Sequence, residues 1–279
     1  SPDDPPELFW ALRGAGANFG VVTAFTYRLH PVGPRILGGG VVHPLAHGRE
    51  VLRFFRDFVA TAPDELTTYA ALATGPDGQR VVSLALCYTG DLAEGERVVA
   101  PLRQFGHPLA DLVAPMPYAA QQELLSRTSP HGRHNYWQSG MSTTLSDAAI
   151  DVLLEEVSTV PSPHTTVVIA ANAGAVSRVA PDATAYWHRE EPYNVMLLSA
   201  WDAAADTGRN VDWTRRAIAA LRPELDGGIY VNDLNDPREE GDARVRRAYG
   251  GNFDRLAALK ARWDPDNVFR SNQNIRPAT

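Results

Sequence analysis

Residues 7–32 read ELFWALRGAGANFG and then VVTAFTYRLHPV, and no other stretch limits the fold as much. Leu8, Phe9, Ala11 and Leu12 recur at helical spacing, Gly14, Gly16 and Gly20 break that helix, and the alternation from Val21 to Val32 predicts a strand. A helix that precedes its strand reverses the order of the dinucleotide-binding fingerprint, and the glycine spacing is one residue out of step with it, which argues against a nicotinamide site. The run therefore closes a compact unit rather than opening one. It leaves a glycine-rich backbone, beside Asn18 and Phe19, that a flat or anionic group can approach closely.

After the turn residues Pro31 to Pro34, a strand over Ile36 to Val42 precedes a helix whose apolar positions are Val51, Leu52, Phe55, Phe58 and Val59, stopped by Pro63. Strands near Tyr69 to Ala73 and Val81 to Tyr88 are joined by the hairpin sequence GPDG (Gly75 to Gly78), and a helix from Leu92 to Phe105 is bent or interrupted at Pro101. The order then repeats. A strand over Gln138 to Thr144 leads to a helix capped by Ser146 with Ile150, Leu153, Leu154 and Val157 on one face, then strands at Thr165 to Ala171 and Tyr193 to Trp201. A last helix, capped by Asn210, presents Trp213, Ala217, Ile218 and Leu221 before Pro223. Two tandem β-α-β-β-α units predict an α+β fold: one antiparallel sheet with helices on one face, the other face left to cover a pocket. Segment boundaries fall near residues 34 and 226, dividing the chain into 1–34, 35–226 and 227–279.

With 26 basic against 33 acidic residues, a net charge of −7 and no basic run, the chain has little electrostatic support for a nucleic-acid or anionic-membrane partner. The single cysteine, Cys87, excludes an internal disulfide framework and reads as a small core residue within VVSLALCY. No stretch approaches a membrane span, and SPDDPPE has neither the charge nor the apolar core of a signal peptide, so a soluble protein, cytoplasmic by preference, is expected. His131 and His134 sit in a loop-forming SPHGRHNYW without a third ligand nearby, so no metal site is expected there. A nucleophile elbow, a zincin His pair and a Walker loop are all missing from the sequence.

The opening run and the closing stretch RVRRAYGGNFDRLAALKARWDPDNVFRSNQNIRP (Arg244 to Pro277) together resemble the berberine bridge enzyme-like flavoproteins of the vanillyl-alcohol oxidase class. The closing pattern YG-x-N, RL, LK, DP-x-N-x-F and Q-x-I is carried by Tyr249, Gly250, Asn252, Arg255, Leu256, Leu259, Lys260, Asp264, Pro265, Asn267, Phe269, Gln273 and Ile275; GAVSRVAPDATAYWHR and GIYVNDL are also similar. The resemblance implies FAD as cofactor and a small-molecule substrate. It assigns 1–34 to the end of a flavin-binding domain, 35–226 to a substrate-binding α+β domain that roofs the flavin, and 227–279 to a closing segment. It also implies that the N-terminal FAD-binding half of the family is a missing partner of this stretch, so that the chain alone holds FAD weakly or not at all.

Flavin oxidation needs a base for the proton lost from substrate oxygen or nitrogen. Read as a strand, GIYVND places Tyr230 and Asn232 on one face and Val231 and Asp233 on the other. A family tyrosine at the matching place faces the substrate, so Tyr230 is the candidate catalytic residue and Asn232 a candidate substrate contact. Asp233 stands where relatives often carry an aromatic residue. By the same resemblance Asn18, Phe19, Gly20, Val21, Val22, Tyr249 and Asn252 are candidate cofactor contacts, Asn252 also capping the following helix, and His188 in YWHRE is a candidate substrate contact. The expected activity is oxidation of an alcohol or amine carbon of a sugar or secondary metabolite, with O₂ reoxidising the flavin. A catalytically inactive binding module and a cofactor-free ferredoxin-like α/β-barrel enzyme are the alternatives.

Overall fold

The computed structural model describes residues 5–128, 130–234, 237–270 and 273–278. Helix α1 (Pro6–Leu12) starts on a proline, whose lost N–H is one the first turn leaves unpaired anyway, and buries Trp10 and Ala11. The first unit follows as β1 (Arg35–Pro44), α2 (Gly48–Val59), β2 (Leu66–Thr74), β3 (Arg80–Tyr88) and α3 (Leu92–Gln104). Then come β4 (Ala110–Asp111), β5 (Ala114–Pro117) and α4 (Tyr118–Thr128). The second unit is β6 (His134–Ser142), α5 (Asp147–Ser158), β7 (Thr166–Ala171), β8 (Tyr193–Trp201) and α6 (Thr207–Leu221), and α7 (Pro237–Tyr249) and α8 (Phe253–Trp263) close the chain.

The strands form one antiparallel sheet in the order β4-β1-β3-β2-β7-β8-β6, with β5 also paired to β1. The two units meet through β2 and β7, where Tyr69 to Leu72 lie opposite Ala170 to Val167. Strand alternation sends Ala70 and Leu72 of β2, Leu84 and Leu86 of β3, and Val195 and Leu197 of β8 to one side of the sheet. There they are buried with Leu52 and Phe55 of α2, Leu102 of α3, Leu153 of α5 and Trp213 of α6. Phe55 keeps no exposed surface. Ser146 caps α5 by accepting from the Ala149 amide at 2.9 Å, and Asp147 in the next position binds Arg53 and Arg56 of α2, whose hydrogen bonds hold its carboxyl down at about 2.

The structure departs from the sequence pattern in several places. Residues 21–34 form no strand: Val21 is 81% exposed and Leu29 85%, because alternation becomes a strand only with a ladder partner, and no described strand pairs with this stretch. Pro101 does not interrupt α3, since Val99 and Leu102 on either side of it are packed into the core. Asn210 is not a cap. It lies buried inside α6, donating to Asp206 O at 2.9 Å, because the turn Ala204–Asp206 winds directly into the helix. The segment β4-β5-α4 is an addition to the two expected units; Pro115 and Pro117 mask a strand that tolerates them by pairing only with β1. Helix α4 packs on β1 and β5 with Gln121 over Gly38, across the sheet from α2, α3, α5 and α6. Cys87 also lies on that opposite side, half-buried, and burial pushes its thiol up, away from the reactive thiolate. No described helix is long and apolar enough to cross a membrane.

A second apolar cluster joins the two ends of the chain. Trp10, Ala15 and Phe19 pack with Ile229, Val245, Tyr249, Leu256, Leu259 and Ile275.

Candidate functional site

Polar groups lock this second cluster. Asn18, fully buried, donates through Nδ2 to Ala15 O (2.8 Å) and Gln273 O (3.0 Å) and accepts from the Ile275 amide (2.9 Å). Tyr249 Oη donates to Ala15 O at 3.2 Å, and burial drives its phenol far above the ordinary range. Lys260, also fully buried, donates to Asn18 O (2.6 Å), to Phe269 O (2.5 Å) and to Asp264. Burial pushes the Asp264 carboxyl up, but the Lys260 ammonium and the Val268 and Phe269 amides outweigh it and hold it low.

The loop between β7 and β8 is fastened to this cluster. Asn252 Nδ2 donates to Pro181 O and Thr184 O, both at 2.9 Å, instead of capping α8 as expected; its amide is spent on the loop. Gly14, at φ +143, lets the chain run against the loop where a Cβ would lie 2.4 Å from the Tyr186 nitrogen, and Gly250, at φ +51, receives the Trp187 indole in the same way.

Between the fastened ends and the open face of the sheet lies a cleft of about 640 Å³, a size that suits a small molecule. Its floor is a cross-strand row in which Met141 of β6 and Ala170 of β7 flank Asn194 of β8, with Met196 one pleat further along. Gly14 and Gly16 form one wall, Tyr186 and Arg189 a second, and Tyr230 to Asp233 a third.

The third wall is not the expected strand. Asp233 N bonds Tyr230 O at 2.9 Å and Leu234 N bonds Val231 O, closing a 3-10 turn over Val231–Asp233. The turn brings Tyr230, Asn232 and Asp233 all to the cleft, where a strand would have sent Asp233 away. Asn232 Nδ2 donates to Tyr230 Oη at 2.7 Å, and Asn194 Nδ2 donates to Asp233 Oδ2 at 3.1 Å. The Tyr186 ring meets Tyr230 edge-on, 5.8 Å between centroids. Burial first, then the neighbouring Tyr230, Glu191 and Asp233, push the Tyr186 phenol up to about 12, so it is neutral at ordinary pH.

The remaining candidates lie elsewhere. His188 is 5% exposed and does not line the cleft; its ring nitrogens contact Glu191 Oε1 (2.9 Å) and Arg247 O (3.0 Å). Phe19 is buried in the end cluster, whereas Gly20, Val21 and Val22 lie outside any helix or strand, with Val22 47% exposed. Tyr249 and Asn252 are buried. Sequence reasoning missed Asn194 and Tyr186 as cleft residues. The polar Asn194 within the apolar strand YNVMLLSAW was the available signal.

Residues 229–276 match the family model described as berberine and berberine like. An FAD-linked oxidoreductase of Dictyostelium discoideum is 30% identical over 276 residues, covering 97% of this chain and 58% of that protein. The (R)-6-hydroxynicotine oxidase of Paenarthrobacter nicotinovorans is 29% identical over 99% of this chain and 62% of its own length. The solved structure of 6-hydroxy-D-nicotine oxidase from Arthrobacter nicotinovorans shares the fold with a TM-score of 0.85 at 26% identity, over 100% of this chain and 63% of that one. The chain thus spans less than two thirds of the length of these relatives. Ends that meet through Asn18 and Tyr249, a sheet that floors a cleft beside them, and these likenesses make the chain similar throughout to FAD-linked oxidoreductases, with a berberine-like closing segment over residues 229–276.

Proposed function

We propose that this chain supplies the substrate cleft and one side of the flavin site of an oxidase acting on an alcohol or amine carbon. The observation that carries the reading is the junction of the two ends, with Tyr249 Oη on Ala15 O and the Ile275 amide on Asn18 Oδ1, beside a cleft of substrate size. The residues present fit a flat ring: a Cβ at Gly16 or Gly20 would meet nothing within 4 Å, so open space adjoins that backbone. Gly16, Gly20, Val21 and Val22 would hold the isoalloxazine through backbone, while Asn18, Phe19, Tyr249 and Asn252 act from behind by fixing the backbone around them. FAD, when bound, supplies the hydride acceptor.

Tyr230 acts as the base in its phenolate form, Oη taking the one proton that the substrate's oxygen or nitrogen loses and becoming the neutral phenol. The hydrogen bond that Asn232 donates into Oη holds this oxygen in place at the cleft and leaves it further capacity to bond the substrate. Tyr186, neutral and perpendicular to it, shapes the wall.

Because the chain covers only part of its relatives' length, it alone is expected to hold FAD weakly or not at all. The test joins residues 1–279 to the segment of the Dictyostelium relative that lies outside the matched region. A yellow protein whose flavin is bleached anaerobically by one member of an amine, alcohol and sugar panel supports the proposal; a colourless protein, or flavin that no member reduces, overturns it. Recovery of colour in air reports reoxidation by O₂.

A further inference from the structure

His188 does not line the cleft, yet it is buried where the second wall, the third wall and the floor are joined. Tyr186, two residues before it, and Arg189, directly after it, both face the cleft. Its Nε2 donates to Arg247 O at 3.0 Å, since a carbonyl oxygen only accepts, and its Nδ1 lies 2.9 Å from Glu191 Oε1. The ring lies against Gly228, where a Cβ would come within 1.8 Å of the imidazole, and a Cβ on Gly227 would lie 2.7 Å from Glu191 Cγ. Any larger residue at either glycine has to move the pair. Arg247 Nη2 donates to Gly227 O at 2.8 Å. The same two glycines are bonded to the cleft floor, Gly227 N donating to Met141 O (2.9 Å) and Met141 N to Gly228 O (3.0 Å). Two residues further on, the chain reaches Tyr230.

We infer that His188 is a positioning residue for Tyr230. It couples the loop that carries Tyr186 and Arg189 to the glycine pair that leads into the Tyr230 turn, and so sets the edge-on meeting of the Tyr186 and Tyr230 rings, 5.8 Å between centroids. Met141 and Arg247 hold the glycine pair to the floor and to α7; His188 adds the link to the opposite wall. A buried polar ring with a partner at each nitrogen has one orientation, whereas an apolar side chain of like size fills the space without specifying it. His188 meets neither the substrate nor the transferred proton in this role. The catalytic consequence rests on the reading of Tyr230 as the base; the placement of the Tyr230 ring does not.

Nuclear Overhauser contacts are measured in the 279-residue chain without flavin, labelled in tyrosine, histidine and glycine, with Tyr186→Phe and Tyr230→Phe assigning the two rings. The unaltered chain is expected to show a histidine ring on the Gly228 α protons and the two tyrosine rings on one another. His188→Gln keeps an amide donor for Arg247 O and retains the tyrosine contact; His188→Leu fills the space without a donor and loses it, with thermal melting as the control for folding. Should His188→Leu fail to fold, Gly228→Ala decides, because its methyl displaces the imidazole and the tyrosine contact goes with it. A tyrosine contact that survives in His188→Leu or Gly228→Ala, or that His188→Gln loses as well, overturns the inference. So does the lack of either contact in the unaltered chain, whatever the variants do. In the joined enzyme, His188→Leu is expected to lower kcat about 10-fold with KM changed less than ~2-fold. A rise in KM at constant kcat, the mark of a residue that binds substrate itself, overturns it. A joined protein that stays colourless removes the reading of Tyr230 as the base and leaves the placement of its ring by His188 intact.

Discussion

The central sheet and the cluster that joins the chain ends are both buried, yet different forces hold them. Under the sheet, Leu52, Phe55, Leu84 and Trp213 belong to one apolar core assembled mostly from neighbouring elements of two repeated units. In the end cluster, Asn18 and Lys260 sit fully buried and tie segments more than two hundred residues apart. Apolar burial is tolerant of exchange, whereas a buried polar group is costly once its partner is lost. The contrast implies that the sheet domain supplies general stability and the ends supply a defined geometry beside the cleft.

The largest effect separating the two regions is expected from Phe55→Ala, which removes a fully buried ring from the sheet core and costs about 4 kcal/mol in denaturant unfolding. Asn18→Ala should cost about 3 kcal/mol, and hydrogen exchange should show the loss confined to the end cluster while the strands stay protected. Loss of strand protection in that variant would mean that the two regions are one cooperative unit. In the joined enzyme, Tyr230→Phe should lower kcat/KM about 100-fold, or ~2.7 kcal/mol, with the melting temperature unchanged. The smallest effect concerns Tyr186, at the join of the two regions. An unfolded tyrosine ionises near ~10, but Tyr186 in the folded chain ionises at about 12. The folded state keeps its proton longer, so stability is complete below the unfolded value and declines as pH rises toward the folded one. Tyr186→Phe should flatten that decline in a stability–pH series.

What was legible in the sequence was local or periodic. The helical spacing of Val51, Leu52 and Phe55 and the cap at Ser146 depend on residues a few positions apart, and the structure shows both. The alternation at Val21 to Val32 was equally regular, but a strand depends on a neighbour that periodicity does not specify. The GIYVND turn looked extended because its β-branched and aromatic residues are strand formers; the hydrogen bond from Asp233 N to Tyr230 O overrode that preference. The row Met141, Asn194 and Ala170 was hidden for another reason. It exists only once the register of three strands is known, and no single segment carries that register.

Asn18 has a hydrogen-bond partner 255 residues later in the chain. On a ribosome that adds about 5–20 residues per second, the stretch around Trp10 and Phe19 waits roughly 10–50 s before the residues that cover it have been made. During that interval its aromatic side chains are available to chaperones or to other nascent chains, and the end cluster is assembled last.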